Sequence, residues 1–329
     1  MSEQKILITG ITGQDGVFLT KKLLEKNKNI EISGFSRNSE TKKFNKKLHY
    51  LNKNLNLENL NIVNINILNF SEVSDFIESF KPDYVYNLTG PSSVYESLEN
   101  PVNTSLEMTT NFMNLINALI LNNNYCNFFQ PSSSEMFNQN SDKYLDEESE
   151  FNPISSYALS KFYIHKFIDI LREKYEWKIS NGILFNHESE FRDNNYLIMK
   201  IINGAIDIKN GDKNEITVGS LEMTRDWSFA GDIVDAMQLL VEEGNNSNYV
   251  LGSGDGKSIK EIIEFVFEYF KIEWSEYVNV DEKLLRTGDP THIVSNPKKI
   301  LKDTGWQTTT SIEELLTRCI KYKEETTSS

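Results

Sequence analysis

Short apolar runs alternate with amphipathic stretches through the first half of the chain. Residues 5–10 (KILITG) read as a buried strand, and a helix from about Asp15 to Glu25 carries Phe18, Leu19, Leu23 and Leu24 on one face. EISGFSR (31–37), NIVNINI (61–67), DYVYNLT (83–89), NFFQPSS (127–133) and KISNGILFN (178–186) read as further strands. Helices are expected near Glu72–Phe80, Ser105–Asn122 and Ser155–Tyr175. Strand–helix alternation of this kind predicts an α/β fold, a Rossmann-type doubly wound parallel sheet with helices on both faces.

After Asn186 the pattern changes. Helices are expected at 194–209, 229–244, 257–270 and 311–324, separated by polar segments containing glycine. The division expected is a nucleotide-binding domain over 1–185 and a smaller C-terminal substrate-binding lobe over 186–329. A segment at about 226–250 is expected to pack back on the first domain. The lobe is expected over the carboxyl ends of the strands, where ligands bind in open α/β sheets.

Composition narrows the chemistry. The 329 residues are 39% hydrophobic, enough for a large core. A formal net charge of −14 repels a phosphate backbone, so no nucleic-acid partner is expected. No apolar run approaches the roughly 20 residues of a membrane helix, and the start MSEQKILITG lacks the pattern of a signal peptide. Cys126 and Cys319 are far apart, which suits a reducing, cytoplasmic location. The histidines His49, His165, His187 and His292 have no metal-ligand spacing, so no metal is expected.

The turn after the first strand is Gly10-Ile11-Thr12-Gly13-Gln14-Asp15-Gly16. Its G-x-x-G-x-x-G spacing, between a strand and a helix, suits a dinucleotide. Gly10 permits the tight turn, Gly13 a close approach to pyrophosphate, and Gly16 close packing of helix on strand. Arg37, at the end of the second strand, favours the 2′-phosphate of NADP, with NAD as the alternative.

Tyr157 and Lys161 form a Y-x-x-x-K pair near a helix start marked by Pro153 and Ser155-Ser156. Residues four apart share a helical face, and the Lys161 cation lowers the Tyr157 phenol toward a working base. Ser133, at the end of the fifth strand, can hydrogen-bond a substrate hydroxyl. Glu135 adds a carboxylate that hydride transfer alone does not need and an elimination does. Its plainer reading is an acid at a helix N-terminus.

These residues sit in stretches that resemble the GDP-mannose 4,6-dehydratases of the extended short-chain dehydrogenase/reductase superfamily. The stretches are LITGITGQDG (7–16), SSEMF (133–137), SYALSKFYIHKF (156–167), NGILFNHES (181–189), VGSLEMTRDWSFAGDIVDAM (218–237) and NPKKILKDTGW (296–306). The resemblance implies Tyr157 and Lys161 as base and partner, Ser133 in the place of a threonine, and Glu135 as acid/base of the elimination. It implies cofactor contacts at Gly10, Thr12, Gly13, Gln14, Asp15, Gly16, Arg37, Asn66, Ile67, Leu88, Tyr157, Lys161 and His187. It implies substrate contacts at Ser93, Asn186, Arg192, Lys200, Arg225 and Arg286, a GDP-sugar substrate, and a homodimer or homotetramer.

The chain departs from the family pattern at several loops. Thr89-Gly90-Pro91-Ser92-Ser93-Val94 replaces Ala-Ala-Gln-Ser-His-Val, Ile65-Asn66-Ile67 replaces Gly-Asp-Leu, and Glu190-Phe191-Arg192-Asp193-Asn194 replaces Pro-Arg-Arg-Gly-Glu. Arg286-Thr287-Gly288-Asp289-Pro290 also differs. The sugar therefore stays open between mannose, N-acetylglucosamine and a heptose. A 4-epimerase or 4-keto reductase, which would not need Glu135, is the alternative chemistry. A non-enzymatic nicotinamide-binding scaffold is the third reading.

Overall fold

The computed structural model describes residues 4–27, 29–36, 41–137, 144–285 and 290–327. The chain groups into two compact units. The first comprises Met1–Phe137, Glu150–Leu184 and Val234–Tyr249; the second comprises Asn138–Ser149, Phe185–Ile233 and Val250–Ser329.

The first unit runs β1 (Gln4–Thr9), α1 (Gln14–Lys26), β2 (Ile30–Phe35), α2 (Thr41–Leu51), β3 (Leu60–Val63), α3 (Phe70–Phe80), β4 (Tyr84–Asn87), α4 (Val94–Glu99), α5 (Pro101–Leu121), β5 (Asn127–Ser133), α6 (Ser156–Tyr175) and β6 (Ile179–Leu184). The chain continues through β7 (Asn186–Glu188), α7 (Leu197–Asn210), β8 (Ile216–Val218), β9 (Thr224–Phe229), α8 (Ala230–Glu242) and β10 (Asn248–Leu251). It ends with β11 (Gly256–Ser258), α9 (Ile259–Tyr269), β12 (Val278–Val280), β13 (His292–Ile293), α10 (Lys298–Thr304) and α11 (Ile312–Thr327).

The main sheet has the order β10-β6-β5-β4-β1-β2-β3, and the pairs from β6 to β3 are parallel. Strand order reverses at β1, between β4 and β2, which is where open α/β sheets bind ligands. This is the doubly wound sheet expected from the alternating pattern. One face is packed by Val73 and Ile77 of α3, Phe112, Leu115, Ile116 and Leu119 of α5, and Ile164, Ile168 and Leu171 of α6. On α1, Lys22 and Lys26 form ion pairs with Asp235 and Glu242 of α8.

The second unit holds a smaller sheet of order β11-β9-β13, with β7 also paired to β9. Asp226 of β9 gathers this unit's loops. Its carboxylate accepts from Ser253 N (2.9 Å), Ser253 Oγ (2.6 Å), Gly254 N (2.9 Å), Ser295 N (3.1 Å) and Ser295 Oγ.

Several expectations shift for local reasons. The third strand ends at Val63, because Asn66 starts a turn: its Oδ1 accepts from Leu68 N and its own N–H donates to Glu72. The long helix starts at Pro101 rather than Ser105, since proline suits a first helical position. The expected strand 178–186 splits at Phe185, and its last part, β7, pairs with β9 instead. Helix α2 was not expected; among its lysines only Phe44 and Leu48 are buried, a stripe too sparse to read. Among the described residues no helix is long and apolar enough to cross a membrane.

Candidate active site

Strand β1 ends at Thr9, and Gly10 turns the chain with φ of +67°. A Cβ at Gly10 would lie 2.7 Å from the Leu88 carbonyl oxygen, so only glycine lets the turn pass this close to the end of β4. The Gly13 N–H donates to Gly10 O at 3.0 Å, and Gly13 then stands extended as the N-cap of α1. It offers no side-chain cap to the first N–H groups of the helix. A Cβ at Gly16 would lie 2.3 Å from Ile11 O, which fixes the helix tightly on its turn. A bare backbone cradle at a helix N-terminus fits the pyrophosphate of a dinucleotide.

Beside the turn, Thr9 Oγ1 donates to Asn87 Oδ1 (2.8 Å) and accepts from Thr89 N (3.3 Å). Leu88 N donates to Thr9 O at 3.2 Å. Asn66 is exposed, whereas the Ile67 side chain joins the hydrophobic core and its carbonyl accepts from Asn114 Nδ2 at 2.9 Å. Ser93 caps α4, accepting from Glu96 N at 3.2 Å. Thr12, Gln14 and Asp15 are half-buried at the mouth of α1. Arg37 lies outside the described residues.

The four expected catalytic residues come from two adjoining elements. Ser155 Oγ accepts from Ala158 N at 3.1 Å and starts α6, so Tyr157 and Lys161 fall in its first two turns. Helix α6 packs against β5 and against the short 3-10 turn Ser134–Met136 that follows it. Ser133 caps that turn, its Oγ accepting from Glu135 N at 3.2 Å. Tyr157 and Ser133 are buried and Glu135 is half-buried.

Lys161 Nζ donates to Pro131 O at 3.0 Å and lies 5.8 Å from the centroid of the Tyr157 ring. Its stem is half-buried and its ammonium enclosed; burial lowers its pKa to about 8, against the opposing pull of Asp15. The Pro131 carbonyl also accepts from Gln130 Nε2 (3.2 Å), and Gln130 Oε1 accepts from Asn87 Nδ2 (2.8 Å). A buried polar chain therefore crosses the strand ends from Thr9 through Asn87 and Gln130 to the carbonyl that holds Lys161. Sequence reasoning missed Asn87 and Gln130, although polar residues inside the apolar runs YVYN and NFFQPSS were a usable signal.

The other expected site residues belong to the second unit. Asn186 opens β7 and is exposed; His187 follows, its Nδ1–H donating to Phe185 O at 2.9 Å. Arg192 is engaged within the unit: its Nε lies 3.1 Å from Glu188 Oε2, and its guanidinium sits 3.5 Å over the Tyr196 ring. Arg225 is buried in β9 and donates to Thr224 O at 2.9 Å. Lys200 is exposed on α7. Arg286 lies outside the described residues. Among the described residues no group of three or more His, Cys, Asp or Glu side chains could hold a metal ion.

A profile of the family described as GDP-mannose 4,6 dehydratase matches residues 7–319. The chain is 33% identical over 316 residues to GDP-mannose 4,6 dehydratase 2 of Arabidopsis thaliana, covering 94% of this chain and 84% of that protein. In fold it resembles UDP-glucose 4-epimerase of Thermotoga maritima, with TM-score 0.84 at 20% identity, over 98% of this chain and 100% of the other. It also resembles RMD of Pseudomonas aeruginosa, solved with NADPH, with TM-score 0.81 at 20% identity, over 98% and 99% of the two chains. Tyr157, Lys161, Ser133 and Glu135 lie at the carboxyl ends of the sheet's strands and the start of α6, and the matches place the chain in a superfamily of sugar-nucleotide dehydratases and epimerases. By its sequence match over nearly the whole length, the chain belongs to the GDP-mannose 4,6-dehydratase family, within the extended short-chain dehydrogenase/reductases.

Proposed function

We propose that this protein is an NADP-dependent GDP-sugar 4,6-dehydratase, converting a GDP-hexose into its GDP-4-keto-6-deoxy form with release of water. The observation that carries the reading is the packing of the Ser133–Glu135 turn against the helix bearing Tyr157 and Lys161. Base, cation, hydroxyl and carboxylate thus share one end of the sheet. The relatives named GDP-mannose 4,6 dehydratase support a GDP-sugar. The altered loops at 89–94 and 190–194 leave N-acetylglucosamine or heptose derivatives as alternative sugars.

In this reading Tyr157 takes the proton of the C4 hydroxyl, with the Lys161 cation stabilising the phenolate. Ser133 holds the same hydroxyl by a hydrogen bond. Glu135 removes the C5 proton, acidified by the C4 ketone, and returns a proton to the C6 oxygen, which leaves as water. NADP would be held at the Gly10–Gly16 turn, and it would supply the hydride acceptor at C4 and the donor to C6, returning to its starting form at each turnover. The remaining contacts proposed are Thr12, Gln14, Asp15, Arg37, Asn66, Ile67, Leu88 and His187 toward the cofactor. Toward the substrate they are Ser93, Asn186, Arg192, Lys200, Arg225 and Arg286. NAD is the alternative cofactor.

We further propose a cytoplasmic homo-oligomer. Val102 and Leu106 of α5 and Leu159, Tyr163 and Ile170 of α6 are exposed apolar side chains, of the kind that a second copy would cover.

Incubation with a panel of GDP- and UDP-sugars and catalytic NADP, read by mass spectrometry, tests the reaction. Loss of one water from a GDP-sugar without net NADPH is expected. Accumulation of NADPH, or an epimer with no dehydrated product, overturns it.

A further inference from the structure

Behind the catalytic group lies a buried polar network with no counterpart in the proposed chemistry. His165 is on α6, one turn beyond Lys161, and is 1% exposed. Its Nδ1 is 2.7 Å from Asn181 Nδ2 and 3.2 Å from Ser132 Oγ; its Nε2 is 3.4 Å from Asn248 Nδ2. Asn181 and Ser132 are themselves 2.8 Å apart, and both are buried. All these residues lie within the first unit.

The hydrogen-bond directions follow from one fixed end. Arg172 has donors only, and its Nη1 donates to Asn248 Oδ1 at 2.8 Å. Its other nitrogens are anchored on Ile179 O and Ser247 O, at 3.0 and 2.8 Å. The Asn248 oxygen therefore faces Arg172, and its Nδ2–H faces His165 Nε2. That nitrogen must accept. A neutral imidazole then carries its proton on Nδ1, which donates into the Ser132–Asn181 pair. As placed, Asn181 Nδ2 faces Nδ1 and Asn181 Oδ1 accepts from Ser132 Oγ. The Nδ1–H tautomer requires this amide turned over, a choice the two near-identical amide atoms leave open, so that its oxygen faces Nδ1 and its NH2 donates to Ser132 Oγ.

We propose that His165, held as the Nδ1–H tautomer, is a positioning residue: through Asn181 and Ser132 it fixes the carboxyl end of β5, which carries Ser133 and the Glu135 turn. The proposal rests on the dehydratase reading for what that end does. Burial lowers the His165 pKa to about 4, with Asp169 opposing and Lys166 and Arg172 adding to the shift. The Phe151 ring packs edge-on at 5.2 Å and brings no charge. The imidazole thus stays neutral through the working range, as an Nε2 acceptor requires.

Long-range proton–nitrogen NMR of histidine-labelled protein tests the tautomer without any activity; an Nε2–H signal for His165 overturns the proposal. His165→Asn sets an amide nitrogen near the Nδ1 position, whereas His165→Gln reaches toward Nε2 and His165→Phe keeps only the ring. With a GDP-sugar, His165→Phe and His165→Gln are expected to lose roughly 100-fold in kcat with little change in KM, the size of effect a small misplacement of reacting groups produces. His165→Asn should recover most of that loss, and the backbone amide signals of Ser133 and Glu135 should move in His165→Phe. Wild-type kcat in His165→Phe, or unmoved amide signals, overturns the proposal. A wild-type protein inert toward every GDP-sugar counts instead against the dehydratase reading, while the tautomer and amide signals still decide the role of His165.

Discussion

The Lys161 ammonium donates a hydrogen bond to the backbone carbonyl of Pro131, 3.0 Å away, and so joins helix α6 to strand β5 at the point where both deliver catalytic side chains. The bond explains how an enclosed ammonium is tolerated: one proton has an acceptor, and the charge remains near the Tyr157 ring, 5.8 Å from its centroid. Removing an ammonium from water with so little compensation brings its pKa down to about 8.

A pH profile should carry this signature. The proposed reaction needs Lys161 charged, so kcat/KM is expected to fall as pH rises through about 8. Stability should move the opposite way. Below about pH 8 both folded and unfolded lysine are charged, and burying the ammonium weighs against the fold. Between about 8 and the ordinary 10.5, the folded state has shed its proton while the unfolded state holds it, so this group's contribution to stability rises with pH. Activity that stays flat to pH 10 would remove Lys161 from the reaction. Lys161→Met should abolish the alkaline fall along with roughly 100-fold or more of the rate.

Glu135 separates elimination from simple oxidoreduction. Glu135→Gln keeps the side chain's size and the Ser133 cap, which involves only the backbone N–H of residue 135. Dehydration should fall by roughly 100- to 10,000-fold, the usual range for loss of an acid–base group. Exchange of the C5 proton with deuterated solvent should fall with it. A variant that dehydrates normally would return the chain to the epimerase or reductase reading.

Gly10 predicts a failure of cofactor binding. Gly10→Ala forces a left-handed residue to carry a Cβ, at a cost of roughly 1–2 kcal/mol, and drives that carbon to 2.7 Å from Leu88 O. The turn and the end of β4 must separate. NADP affinity by calorimetry should drop sharply, and Tm should fall as well. Unchanged affinity would show that the turn does not hold the dinucleotide.

How much of this was legible in the sequence depended on how local each feature is. The apolar runs of β1, β4 and β5 and the capped start of α6 depend on near neighbours, so the sheet and the Tyr157–Lys161 pair could be read directly. The fates of Ile67 and Arg192 were not legible. The Ile67 side chain fills the core under α5, which leaves its backbone for the proposed cofactor contact, and Arg192 is also engaged by Glu188 and Tyr196. Those partners depend on how the chain packs, not on spacing. The same is true of His165, whose contacts at Ser132, Asn181 and Asn248 come from three different strands.

Asp226 gives a test that concerns the second unit alone. Its Oδ1 accepts from Ser253 N and Oγ, and its Oδ2 from Gly254 N and Ser295 N and Oγ, so both oxygens are committed to donors. Asp226→Ala strands the Ser253 and Ser295 N–H groups and leaves Gly254 N only Ser295 Oγ, 3.0 Å away; at about 1–3 kcal/mol for a buried unsatisfied group, a loss of about 2–6 kcal/mol is expected. Asp226→Asn is nearly isosteric, yet whichever way its amide turns, an NH2 must face N–H and hydroxyl donors. It should therefore cost almost as much as the alanine, which a role in size alone would not produce. Urea unfolding of both variants measures this, and an Asp226→Asn protein within about 1 kcal/mol of wild type would show that the carboxylate is not what holds these loops together.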